Sequence, residues 1–203
     1  MNGVEEKFKD NEQKGIAKIV KFDLSKEDCK KYNLYSIMRR EPDFMKVISG
    51  TYVKLYVNGK LMMSDTHMER KTNQDFVDKA HGDVMIAGLG VGLILNALEE
   101  KVKNGDVKTI TIYEKYQDVI DLVLPKYKHF PIKVICKDIL EYKPFKGESY
   151  DTIYFDIWEK IDEDNLSQIK MLHNRWKFRK RKGGWMDSWM KSYLQVSKRY
   201  FNY

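Results

Sequence analysis

Three glycines on alternate positions, Gly88, Gly90 and Gly92, follow the apolar run 84–87 and precede the apolar series Leu93, Ile94, Leu95, Ala97 and Leu98. The run reads as a buried strand, the series as a helix and the glycines as the sharp turn between them. Such a turn sets bare backbone N–H groups and the positive end of a helix dipole beside whatever occupies it. Glycine suits the position because any Cβ would hold a ligand off the backbone. The chemistry this stretch can do is to cradle a small-molecule cofactor, although tight turns of this kind also occur where nothing binds.

Acids fall where neighbouring strands would end. Glu114 closes the β-branched run 107–113, and its carboxylate can accept hydrogen bonds from both hydroxyls of a ribose. Asp138 and Ile139 follow the run 132–136, where the carboxylate can accept from an adenine amino group while Ile139 packs on the ring; equally, Asp138 can cap the turn it opens. Asp156 and Glu159 follow the apolar run 150–155 and are the first choice for substrate contacts, the plainer reading being that they begin a loop. Further upstream, Asp65 and Glu69 either cap and complement the start of a helix or face a substrate. Strand, glycine loop, helix, strand and acid together make a nucleoside-binding half of a doubly wound sheet. A dinucleotide fingerprint needs a third glycine where Leu93 stands, which lowers the nicotinamide and flavin readings.

The elements that must position these residues can be read in order. Residues 1–15 are polar and charged and are expected to fray. A strand is expected over 16–24, and then a helix capped at Ser25 that carries Cys29, Tyr32 and Tyr35. Asn58-Gly59 between the alternating runs 52–57 and 60–63 signals a hairpin. A helix capped by Asp65 or Thr66 turns Met68, Phe76, Val77 and Ala80 inward. Beyond the glycine unit come an amphipathic helix over 116–127 and, after a cap at Asp164-Asn165, a long helix bearing Leu166, Ile169, Leu172 and Trp176. A turn and then a fifth strand are expected over 183–189, and a last helix in the tail 193–203. The expected architecture is α/β: a doubly wound, mostly parallel, Rossmann-like sheet over 64–203 with a small β appendage over 1–63.

Composition bounds the answer. The chain has 203 residues, 42% of them hydrophobic, enough for one good core and an appendage. Its longest apolar run, 84–95, is broken by glycines and falls far short of the ~20 residues that span a bilayer. With no apolar signal core at the N-terminus, a soluble, cytoplasmic protein with no membrane partner is expected. Cys29 and Cys136 show no metal-type spacing and the four histidines form no cluster, so no metal is expected. The net charge of +7 is local: Lys170, Arg175, Lys177, Arg179, Lys180, Arg181 and Lys182 follow one another without an acid. That stripe is either a helix face in solvent or a dock for nucleic acid or an acidic partner.

Taken together, Met-Ser-Asp-Thr-x-Met-Glu at 63–69, Gly-Leu-Gly-x-Gly at 88–92, Phe-Asp-Ile-Trp at 155–158 and Gly-Gly-Trp-Met at 183–186 resemble class I S-adenosylmethionine-dependent methyltransferases. Within them the chain is similar to the spermidine-synthase-like branch, and to small phage and bacterial methyltransferase-like proteins; the resemblance covers roughly residues 50–190. It implies S-adenosylmethionine as cofactor, with Gly88, Gly90 and Gly92 under the methionyl part, Glu114 at the ribose, and further cofactor contacts from Leu89 and Lys115. Asp138 and Ile139 would hold the adenine. Asp156, also close to the cofactor, and Glu159 match acids that serve the acceptor in aminopropyltransferases, with Trp158, Asp65 and Glu69 lining the acceptor pocket. Val91 stands where aminopropyltransferases carry an aspartate, which favours the ordinary cofactor over its decarboxylated form. The short stretch after the fifth strand implies a five-stranded sheet, or an edge completed by a second subunit in a homo-oligomer.

Overall fold

The computed structural model describes residues 3–201. Strands β1 (Gln13–Lys14) and β2 (Ala17–Leu24) lead into helix α1 (Lys26–Met38), followed by β3 (Gly50–Val57) and β4 (Lys60–Ser64). These strands form an antiparallel sheet in the order β1-β2-β3-β4. Ser25 caps α1, its side chain accepting from the Asp28 N–H at 3.1 Å. Asn58 (φ 50°) and Gly59 (φ 75°) make the two-residue turn between β3 and β4, both in the left-handed conformation such a hairpin needs.

Two short helices, α2 (His67–Thr72) and α3 (Gln74–Lys79), lead to the larger sheet. There β5 (Gly82–Ala87), α4 (Leu93–Lys103), β6 (Val107–Glu114), α5 (Gln117–Val123) and β7 (Ile132–Cys136) build one half. The other half is β8 (Tyr150–Phe155), α6 (Asn165–Trp176) and β9 (Lys180–Ser188), with α7 (Lys191–Phe201) after it. The order is β7-β6-β5-β8-β9, every pairing parallel. The sheet is thus doubly wound, and its topology reverses between β5 and β8, where a crevice opens beyond the strand ends. Leu93, Ile94, Leu95 and Leu98 of α4 are buried against it, each contributing ~1.5–3 kcal/mol relative to exposure.

Several expectations are corrected. Residues 3–15 do not fray: Val4 and Phe8 are buried in the core, and Lys126 pairs with Glu12 at 2.8 Å. Two apolar anchors suffice where the rest of a segment is charged. The helix expected over 116–127 ends as α5 at Val123 and passes into a 3-10 turn, Leu124–Tyr127, around Pro125, which lacks the N–H to continue it. Helix α6 stops at Trp176 and β9 begins at Lys180, three residues before the expected strand, so the basic stripe is no single helix face. Several of its cations bind within the protein. Arg175 donates to the carbonyls of Ile139, Leu140 and Tyr142, Lys180 to that of Gly184, and Arg181 pairs with Asp83 and Asp151. Tail residues 202 and 203 lie outside the described residues.

Both sheets feed one core: Ile19, Val53 and Leu55 from the small sheet pack in the same cluster as Val84, Leu95 and Ile112. No helix among the described residues is long and apolar enough to cross a membrane.

Candidate functional site

At the carboxyl ends of β5, β6, β7 and β8 lies a cavity of about 1080 Å³, counted to its open mouth. Leu55, Val57, Met62 and Met63 of the small sheet face it from the other side. Gly88, Leu89 and Gly90 line it, and Gly92 is the N-terminal boundary of α4, its carbonyl accepting from the Tyr127 hydroxyl at 2.9 Å. Glycine also answers to protein atoms here. At Gly88 (φ 97°) a Cβ would come within 2.0 Å of the Asp156 carbonyl, and at Gly90 (φ 51°) within 2.1 Å of the Met63 sulfur. The first neighbour is backbone and the second the end of a flexible side chain. The close approach at Gly88 lets the Asp156 N–H bond the Ala87 carbonyl at 2.9 Å, which brings the exit of β8 against the loop.

Glu114, 7% exposed, ends β6 with one carboxyl oxygen accepting from the Leu89 N–H and the other from the Tyr116 N–H, each at 2.9 Å. Burial raises its pKa, and backbone donors from Leu89, Tyr116, Lys115 and Gly90 pull against that. Glu114 nevertheless lines the cavity, with its carboxyl group held in place by these donors. Across the cavity Asp138 pairs with Lys115 at 2.9 Å and accepts from the Leu140 N–H at 2.9 Å. Ile139 beside it is buried and lines the cavity. Asp138 therefore holds its turn and faces the cavity at once.

Two carboxyl groups stand deeper. Asp156 is half-buried at the cavity wall, and burial pushes its pKa up to about 7 against the opposing pull of the Asn73 amide. Glu69, 9% exposed, lines the same cavity, and among the described residues no donor reaches its carboxyl group. Burial first, and then the charge of Asp156, push it up to about 8. As interacting acids they titrate as a pair that keeps a proton near neutrality. Asn73, fully buried, accepts from the Tyr154 hydroxyl at 2.8 Å and donates to the Glu69 carbonyl at 3.1 Å, which fixes the end of α2 beside Asp156.

Of the other sequence candidates, two reach the cavity and one does not. Trp158 lines the cavity, its ring N–H donating to Gln168 at 2.7 Å, and Glu159 sits at the mouth in an ion pair with Lys60 at 2.5 Å. Asp65 does not line the cavity, which corrects its substrate-facing reading. Fully buried, it accepts from the N–H groups of Val4 at 3.0 Å and Val53 at 2.8 Å and pairs with Arg70 at 3.2 Å. Its carboxylate joins the N-terminal segment, the small sheet and α2. Nor does Asp65 or Thr66 cap α2 with a side-chain hydrogen bond. Sequence reading missed Met62 and Asn73, and it gave Met63 no role although that residue opens one of the motifs. The only signal is that a polar Asn interrupts the α2–α3 pattern.

The residues fit S-adenosylmethionine: the carboxyl groups of Glu114 and Glu69 and the side-chain-free loop positions Gly88 and Gly90 line one cavity with an apolar wall. No family model matches the sequence, and no curated protein matches it. Among solved structures, the chain is similar to the N-methyltransferase NodS of Bradyrhizobium japonicum, at 15% identity over 59% of this chain and 66% of that one, with TM-score 0.45. An S-adenosylmethionine-dependent methyltransferase of Leishmania major is 12% identical over 59% and 48%, with TM-score 0.46. One from Clostridium acetobutylicum is 16% identical over 78% and 55%, with TM-score 0.42. The chain spans between about half and two thirds of the length of these proteins. At such identities and scores the likeness carries no argument about chemistry. The Rossmann-like, doubly wound fold stands on the chain's own sheet topology.

Proposed function

We propose that this chain is an S-adenosylmethionine-dependent methyltransferase. The observation that supports the reading is convergence: the glycine loop, Glu114, Asp138, Ile139 and Asp156, from four strand ends, line one cavity. The cofactor, when bound, supplies a methyl group already activated on a sulfonium. In this reading the loop backbone holds its aminoacyl part, Glu114 its ribose hydroxyls, and Asp138 with Ile139 its adenine. The protein's own work is to align the acceptor, an effect that supplies ~7–11 kcal/mol in favourable cases. Asp156 and Glu69 accept the acceptor's proton, which a carboxyl pair of raised pKa does best as it becomes ionised.

The test is calorimetric titration with S-adenosylmethionine, S-adenosylhomocysteine and decarboxylated S-adenosylmethionine. Binding of the first two, weakened in Glu114→Ala, is the expected result. No binding of any of the three would overturn the cofactor assignment. A second reading, aminopropyl transfer to a cationic amine, is favoured by the unpaired Glu69 beside Asp156 and opposed by apolar Val91 in the loop. Preference for the decarboxylated form would select it.

A further inference from the structure

Side chains of a strand normally alternate between faces, yet Met62 and Met63, consecutive in β4, both line the cavity. The register between β3 and β4 shifts at Leu55/Tyr56, and the extra residue of this irregularity re-aims the strand. Met63, opposite Leu55, thereby reaches the glycine loop. Its sulfur lies 3.3 Å from the Val91 N–H and fills the space over Gly90. A thioether is among the weakest acceptors a protein offers, so this loop donor is poorly satisfied. A ligand carboxylate would make a charge-assisted bond roughly twice as strong as a neutral one. Methionine, unbranched with three rotatable bonds, is suited to leave. Strand β4, at the edge of its sheet, begins at Lys60, whose exposed pair with Glu159 in the loop after β8 is a contact of the kind that opens at little cost.

We propose that Met63 is a plug in the glycine loop, displaced when the cofactor binds, and that the edge strand β4 gates the cavity. This rests on the methyltransferase reading above. The experiment uses the full chain labelled with 13C at the methionine methyl groups, with the Met63 signal assigned through Met63→Leu, titrated with S-adenosylhomocysteine. The Met63 signal should move as the site saturates. Met63→Ala, freed of the plug, should bind about three- to tenfold more tightly. A Met63 signal unmoved at saturation, or weaker binding by Met63→Ala, would overturn the gate and leave the methyltransferase reading standing. Should Met63→Ala not fold, the labelled native chain decides. Failure of both proteins to bind overturns the function reading and the gate with it, whereas binding by Met63→Ala alone upholds both.

Discussion

Two carboxyl groups facing one cavity compete for a proton, and Glu69 and Asp156 are placed for that contest. If the pair accepts the acceptor's proton, single-turnover rates should climb with pH through the range 7–8 and level above it. Asp156→Asn should lower the rate about 10²–10⁴-fold, and a flat pH profile in the native protein would remove the base role. The same groups set a stability trend of definite sign. A carboxyl whose folded pKa is raised binds its proton more tightly folded than unfolded, so its stabilising contribution is complete below about pH 4 and lost as pH rises through 7–8. Glu69→Gln, always neutral, should therefore gain in Tm over the native protein at pH 8 and not at pH 4, at about 2–4 °C per kcal/mol. Asp65 has a structural part instead. With two backbone donors and Arg70 depending on it, Asp65→Ala should cost about 3–5 kcal/mol in urea unfolding, while the fraction still folded binds cofactor. Both acids belong to one sequence motif and look alike there. Which one meets the cavity depends on how the strand β4 enters α2, and the residue types do not encode that.

At the scale of elements, the strand–loop–helix unit is strongly legible because period-2 and period-3.6 apolar patterns meet at glycines. The hairpin is legible for the same kind of reason, its Asn58-Gly59 turn being a local requirement. Less local features are not. The register shift that aims Met63 at the loop, the stop of α6 at Trp176 and the start of β9 at Lys180 follow from what packs alongside. Gly88 illustrates the difference: its type is readable as a turn, but the atom that excludes a Cβ is the Asp156 carbonyl, 68 positions away. Gly88→Ala should cost about 2–5 kcal/mol, combining left-handed strain with overpacking, and should abolish cofactor binding in calorimetry. Near-native binding by this variant would mean that the exit of β8 tolerates movement away from the loop.

At the scale of the whole molecule, the small sheet is not an independent appendage, because its inner face lies in the same apolar cluster as the large sheet and closes the cavity. The four tryptophans, Trp158, Trp176, Trp185 and Trp189, all follow β8 in the chain, and Trp189 lies in the core that the two sheets share. Ile19→Ala, fully buried in β2, should cost about 2–5 kcal/mol and shift the tryptophan-detected transition together with the circular dichroism transition. Separate transitions would show that the two sheets unfold as distinct units.

What the sequence determined by itself is what local physics controls: the order of elements, the parallel doubly wound class, the glycine loop and the acids at strand ends. These follow from periodicity, turn chemistry and the rule that ligands bind at the carboxyl edge of such sheets. Tertiary structure alone decided which carboxyl groups are free. Packing committed Asp65 to backbone donors, Glu159 to Lys60 and Arg181 to Asp83 and Asp151, and left Glu69 without a donor among the described residues. Burial and charge neighbours come from contacts across the chain, and a side chain's chemistry is set by them as much as by its type.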